Sequence, residues 1–130
     1  MPKVEIKFFK DERKRCPILE WFKKLPKNVE AKARTRIEEL ERQGHELRRP
    51  FADYLRDGIY ELRWRHQSVN FRILYFFYGR SAVILSHGLT KEDSVPPKEI
   101  ETAIKNKGIY ENNPEKYSCT EEKDENEQCT

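Results

Sequence analysis

Long apolar runs are what this sequence most plainly lacks. Nowhere do about 18 apolar residues follow one another, the length that a membrane-crossing helix needs, and no apolar segment of signal-peptide type stands near Met1. Such a chain is expected in the cytoplasm, with no membrane partner. Cysteine is scarce as well: Cys16, Cys119 and Cys129 form an odd set without CxxC spacing, which supports neither a disulfide framework nor a zinc knuckle. The five glycines fall in no GxxxxGK[ST], GxGxxG or GxSxG pattern, and the three histidines in no HExxH, HxH or HxxxH. A phosphate-cradling loop, a serine-hydrolase elbow and a histidine-held metal are thereby excluded, so neither metal nor cofactor is expected.

Charge, by contrast, is plentiful and unevenly placed. Residues 1–110 carry 24 Lys and Arg against 16 Asp and Glu, whereas residues 111–130 carry two lysines against seven acids. A basic body points toward a polyanion such as nucleic acid, with an ordinary lysine-rich soluble surface as the plainer reading. After Asn112 the sequence has almost no aliphatic residue and cannot bury enough surface to order itself. One domain over residues 1–112 followed by a disordered acidic tail over 113–130 is the expected organisation.

Apolar periodicity divides the body into elements. Val4, Ile6 and Phe8 alternate with Lys3, Glu5 and Lys7 as in a half-buried strand. Pro17 opens a short helix with Ile18, Leu19, Phe22 and Leu25 on one stripe, ended by Pro26. A second helix runs from Asn28, a good N-cap, to Gly44, with Val29, Ala33, Ile37 and Leu40 inward. Residues 45–58 read as a connection holding Pro50, a possible helical turn at FADYL and the turn signal Asp57-Gly58. Three strands follow at 59–65, 70–78 and 82–87, close enough for an antiparallel meander. The middle one is aromatic on both faces and therefore central. Pro96 and Pro97 open a last helix with Ile100, Ala103 and Ile104 inward, closed by Gly108. The order predicts an α+β domain: N-terminal strand, helical hairpin, antiparallel sheet of about four strands and C-terminal helix, with helices on one face and the other open.

On that open face the chemistry gathers. Opposite Tyr60, Leu62 and Trp64 stand Glu61, Arg63 and Arg65, and Arg72 is their counterpart on the next strand; paired strands lie about 5 Å apart, so the three cations converge if the register allows. An arginine fork suits a phosphate, donating two hydrogen bonds and keeping its proton at neutral pH. Pairing of Arg63 with Glu61, as mere surface solvation, is the competing reading for that residue. His66 and His87 bracket the face and are candidates for proton transfer or, equally, structural residues, and Lys91 follows in HGLTKED. Phe76 and Tyr78 are candidates for an exposed platform on which unpaired bases stack, and Tyr110, beyond the last helix, for a side chain folded back over the sheet.

The ordered series GIYELRWR, NFRILYFF, AVILSHGLTKED and PPKEIETAI resembles the RelE/ParE toxin superfamily, most closely its phage-derived, HigB-like branch, over most of residues 1–110. The resemblance implies a RelE-like fold and the toxin of a type II toxin–antitoxin system: a ribosome-dependent endoribonuclease that cuts mRNA without a metal, through attack by the 2′-hydroxyl. It also implies a cognate antitoxin, expected to be of helix-turn-helix type, as partner. By the same resemblance Arg63, Arg72 and Lys91 contact the scissile phosphate and its neighbours, whereas no family base or acid maps onto His66, His87 or Tyr110; His87 as a catalytic residue, and Arg65, His66, Phe76, Tyr78 and Tyr110 toward RNA, are expectations from the residues themselves. The loop departs from the usual pattern, since Lys91 is followed by Glu92 and Asp93 rather than by a second basic residue. The alternative is a non-catalytic binding module, either a gyrase inhibitor like the ParE side of the superfamily or a remnant that binds RNA or antitoxin.

Overall fold

The computed structural model describes residues 3–90 and 93–119 of the chain. Strand β1 (Glu5–Phe9) leads into helices α1 (Pro17–Lys23) and α2 (Lys27–Gln43), then β2 (Ala52–Arg56), β3 (Ile59–His66), β4 (Val69–Tyr78), β5 (Ala82–Thr90), helix α3 (Pro97–Asn112) and a two-residue β6 (Ser118–Cys119). The expected α+β class and RelE-like order hold. The strands form a six-stranded mixed sheet in the order β2-β3-β4-β5-β1-β6, in which β1 runs parallel to β5 and the other pairings are antiparallel. Both α1 and α3 begin with proline, whose fixed φ and missing N–H suit a first helical turn. Gly44 ends α2 with φ +54°, its N–H bonded to the Leu40 carbonyl, as its freedom of φ predicts.

Side chains alternate across the sheet, so each strand feeds two cores. Leu62, Trp64, Phe71, Ile73, Tyr75, Val83 and Leu85 face α1 and α2 and pack with Ile18, Phe22, Val29, Ala33 and Leu40. On the opposite face Ile59, Leu74, Phe76, Ala82 and Ile84 pack with Ala103 and Tyr110 of α3. The expectation that all helices share one face is therefore corrected: α3 covers part of the far face, because β4 is buried from Phe71 to Phe76 on both sides and needs cover on both. Several boundaries also differ, among them β5, which runs past residue 87 to Thr90. The connection after α2 contains an edge strand, β2, in place of a helical turn; α2 starts at Lys27 with Asn28 inside it; and α3 continues through Gly108 to Asn112. Residues 113–119, assigned to the tail, form turns and β6, which pairs with Phe8 and Phe9; the remainder of the expected tail lies outside the described residues.

Candidate nucleic-acid interface

Two tight hairpins bring the cations together. Between β2 and β3 the turn residues are Asp57 and Gly58, with φ +52° and +82°, a sequence suited to the left-handed turn that matches strand twist. Between β3 and β4 they are Gln67 and Ser68, with φ +49° and +70°. This second hairpin sets a register in which Arg63 lies directly opposite Arg72, and Arg65 opposite Asn70. Both Arg63 and Arg72 belong to the face that carries α3, beyond the residues that the helix covers.

One carboxylate mediates between them. Glu61, only 4% exposed, binds the Nη1 of Arg72 through Oε1 and lies 3.4 Å from the Nη1 of Arg63 through Oε2. Arg72 also donates from Nη2 to the Asp93 carbonyl at 2.7 Å, and Arg63 donates from Nε to the Pro50 carbonyl at 2.9 Å. The pairing of Arg63 with Glu61 is thus present, yet the acid is shared by two guanidiniums rather than matched to one. Arg65 is exposed and makes no ion pair among the described residues. Where β2 stops pairing at Leu62, these residues border a cleft of about 390 Å³ at the edge of β3, lined by Arg36, Pro50, Phe51, Arg63, Trp64, Arg65, Asn70 and Arg72. Arg36 comes from α2, pairs with Glu39 at 2.8 Å and lies over the Phe51 ring at 4.2 Å. Its place was not legible in the sequence, because nothing local links a helix-surface arginine to a strand edge far along the chain.

His87 sits at a β-bulge, where Leu74 pairs with His87 and Tyr75 with Leu85. The extra residue puts Ser86 and His87 both toward α3. Glu99 can only accept, so His87 Nε2 carries the hydrogen across the 3.0 Å contact; Nδ1 then accepts from Ser86 Oγ at 2.8 Å, and Ser86 accepts from Asn106 Nδ2 at 3.0 Å. Burial pushes the His87 pKa below its ordinary value, against the opposing pull of Glu99, which favours this neutral ring. Both nitrogens are engaged, so His87 joins β5 to α3 and presents no open lone pair to the face. Of the two readings of His87, these contacts favour the structural one.

The other candidates divide. His66 accepts from Asn28 through Nε2 at 3.3 Å, and its buried Nδ1 meets no partner among the described residues. Phe76 is fully buried and packs edge-on against Tyr110, itself 1% exposed, so neither is open for base stacking. The expectation failed because α3 occupies the face that was taken to be open. Tyr78 remains 39% exposed beside Tyr110. Burial, followed by the neighbouring Tyr78, raises the Tyr110 pKa. Lys91 lies outside the described residues. On the other side of β2, Arg48, Arg49, Tyr54 and Tyr60 line a second recess of about 520 Å³, where Arg49 bonds to Asp53 and holds its carboxyl below the usual range.

A small α+β domain whose sheet gathers arginines on a partly uncovered face defines the class: a basic surface on a RelE-like scaffold. Residues 20–107 match the family described as Phage derived protein Gp49-like (DUF891), and the chain belongs to that family. The resemblance to the phage-derived, HigB-like branch is borne out. Among curated proteins, the chain is 34% identical over 56 residues to "Probable endoribonuclease HigB1" of Mycobacterium tuberculosis, in both strain CDC 1551 / Oshkosh and strain ATCC 25618 / H37Rv. The match covers 43% of this chain and about 45% of the length of those relatives.

Proposed function

We propose that the protein is the toxin of a type II toxin–antitoxin system and acts as an endoribonuclease on mRNA engaged with the ribosome. The observation that carries this reading is the cross-strand pair Arg63 and Arg72, which share the carboxylate of Glu61 on the partly uncovered face of the sheet. The likeness to proteins printed as probable endoribonucleases supports it. In the reaction, the RNA 2′-oxygen bonds to the adjacent phosphorus and the bond from phosphorus to the 5′-oxygen breaks. The 2′-hydroxyl loses its proton and the departing 5′-oxygen gains one, leaving a 2′,3′-cyclic phosphate and a 5′-hydroxyl. Negative charge that grows on the phosphate oxygens is met by Arg63 and Arg72. Lys91 is assigned to the same backbone, and Arg65, His66 and Tyr78 to flanking nucleotides. With both His87 nitrogens engaged, alignment of the message by the ribosome carries more of the rate, an effect that proximity alone makes large. The antitoxin partner covers the cationic face, which electrostatics favours.

Mapping message 5′ ends in a cell-free translation reaction tests this. Codon-positioned cuts are expected, and Arg63→Gln should slow them by on the order of 10²-fold, the effect of removing one preorganised donor. Arg63 is the informative residue, being 32% exposed at its side chain where Arg72 is buried. The second reading, a non-catalytic module such as a gyrase inhibitor, draws on the absence of an open base at His87. It predicts intact message and stalled gyrase.

A further inference from the structure

Tyr54 is the most exposed large aromatic side chain among the described residues, at 53%, and it forms a wall of the second recess, of about 520 Å³. Its ring is held in place: the hydroxyl accepts from the Gly58 N–H at 3.1 Å, and the ring meets Tyr60 edge-on at 5.0 Å. Two cations stand beside it. Arg49, 76% exposed at its side chain, pairs with Asp53 in a surface ion pair of the kind that contributes little. Arg48 is exposed, donates to the carbonyls of His45 and Leu47, and meets no acid among the described residues. Asp53, the acid that lines the recess, is already engaged, with Oδ2 taking Arg49 and Oδ1 taking the Tyr54 N–H at 3.0 Å.

An aromatic face flanked by guanidiniums is what holds an unpaired base and its phosphate. An extended peptide fits less well. On the outer edge of β2 the Ala52 N–H is bonded to the Arg48 carbonyl and the Tyr54 N–H to Asp53, so an added strand finds neither donor free. The recess also adjoins the arginine pair. Pro50 and Phe51 line the cleft at the β3 edge while Arg48 and Arg49 line the recess, and the Pro50 carbonyl accepts from Arg63 Nε.

We propose that this recess is a second contact for single-stranded RNA, in which Tyr54 stacks on an unpaired base and Arg48 and Arg49 meet the phosphates beside it. The inference rests on the ribonuclease reading and extends the path of the strand past Arg63, over Pro50 and around the edge of β2. Every nucleotide offers a π-face and a phosphate, so the recess adds affinity and not sequence preference.

The probe is a single-stranded 2′-O-methyl RNA dodecanucleotide, which cannot undergo 2′-hydroxyl attack. Tyr54→Ala should weaken its binding about tenfold, as for loss of one base–aromatic stack, whereas Tyr54→Phe keeps the ring and should bind as the parent does. Arg48→Gln should make the slope of log affinity against log salt shallower by about 0.7, the share of one phosphate. Should Tyr54→Ala fail to fold, photocrosslinking of the unaltered protein decides: an oligonucleotide carrying 5-iodouracil is expected to join to Tyr54, and crosslinks confined to other residues overturn the proposal. Affinity that is unchanged in Tyr54→Ala but falls in Arg63→Gln overturns the proposal, leaves the ribonuclease reading standing and gives the recess to a protein partner. Affinity that falls in Tyr54→Ala but not in Arg63→Gln upholds the recess and counts against the arginine pair. An oligonucleotide that does not bind at all overturns the recess, while message mapping judges the ribonuclease reading separately.

Discussion

Glu61 shows how one side chain sets the character of a surface. Two guanidiniums directly opposite one another on paired strands repel, and the repulsion is worst where water is excluded. Glu61 is held at 4% exposure beside Arg72 at 7%, so its charge offsets the pair in a weakly screened environment. Removing one partner of a buried ion pair leaves an uncompensated charge, which costs about 3 kcal/mol or more. Glu61→Gln, nearly equal in volume, is therefore expected to lower unfolding stability by about 3 kcal/mol in urea titrations. Added sulfate should restore more stability to this variant than to the parent, because the two arginines are left facing each other. An unchanged midpoint would mean that the acid is incidental. Glu61 and the three strand arginines were legible from alternation alone, because period two decides which side chains share a face. Arg36 and the role of Gly88 were not. A Cβ on Gly88 would come within 2.2 Å of the Trp21 ring, a contact between residues distant in sequence that leaves no local trace.

At the scale of elements, the sequence marks strands and helices by periodicity but says little about which face a helix will choose. The unbroken apolar run of β4 was the available signal, since a strand buried on both sides requires two covers. Read that way, it would have placed α3 opposite α1 and α2 and withdrawn Phe76 from the exposed set. Edge strand β2 escaped because only Ala52 in it is fully buried, so no alternation stands out. The two hairpins differ in the same manner: Asp57-Gly58 announces its turn, while Gln67-Ser68 adopts positive φ without a favourable residue. Besides its apolar packing, α3 is tied to β5 by a chain of polar contacts, Glu99 to His87 to Ser86 to Asn106, and this chain has a pH signature. The folded ring has a pKa below its ordinary value near 6.5, so on acidification the unfolded chain takes up a proton that the folded chain refuses. Stability should be level above about pH 6.5 and fall as the pH drops through the folded value. Urea midpoints measured from neutral to mildly acid pH check this, and His87→Asn should flatten that part of the curve. A profile that rises on acidification would contradict a neutral His87.

For the molecule as a whole, the relevant quantity is how charge is distributed between body and tail. The body is basic while the last twenty residues carry seven acids against two lysines, so formal net charge, +3, understates the field at the sheet. No helix among the described residues is long and apolar enough to cross a membrane. Attraction to a polyanion then works through counterion release, and its salt dependence counts the phosphates engaged. For single strands each neutralised phosphate adds about −0.7 to the slope of log affinity against log salt. With Arg63 and Arg72 sharing the scissile phosphate and Arg65 and Lys91 each meeting another, the slope for a single-stranded 2′-O-methyl RNA hexanucleotide, which lacks the attacking hydroxyl, should be about −2. Arg65 discriminates best, because it is exposed and supports no other contact found among the described residues. Arg65→Gln should make the slope shallower by about 0.7 without moving the unfolding midpoint. A slope that does not change on this substitution, with binding otherwise intact, would place the strand away from the β3 edge and require a different polyanion path, with the arginines and tyrosines around Arg48 and Tyr54 next in line.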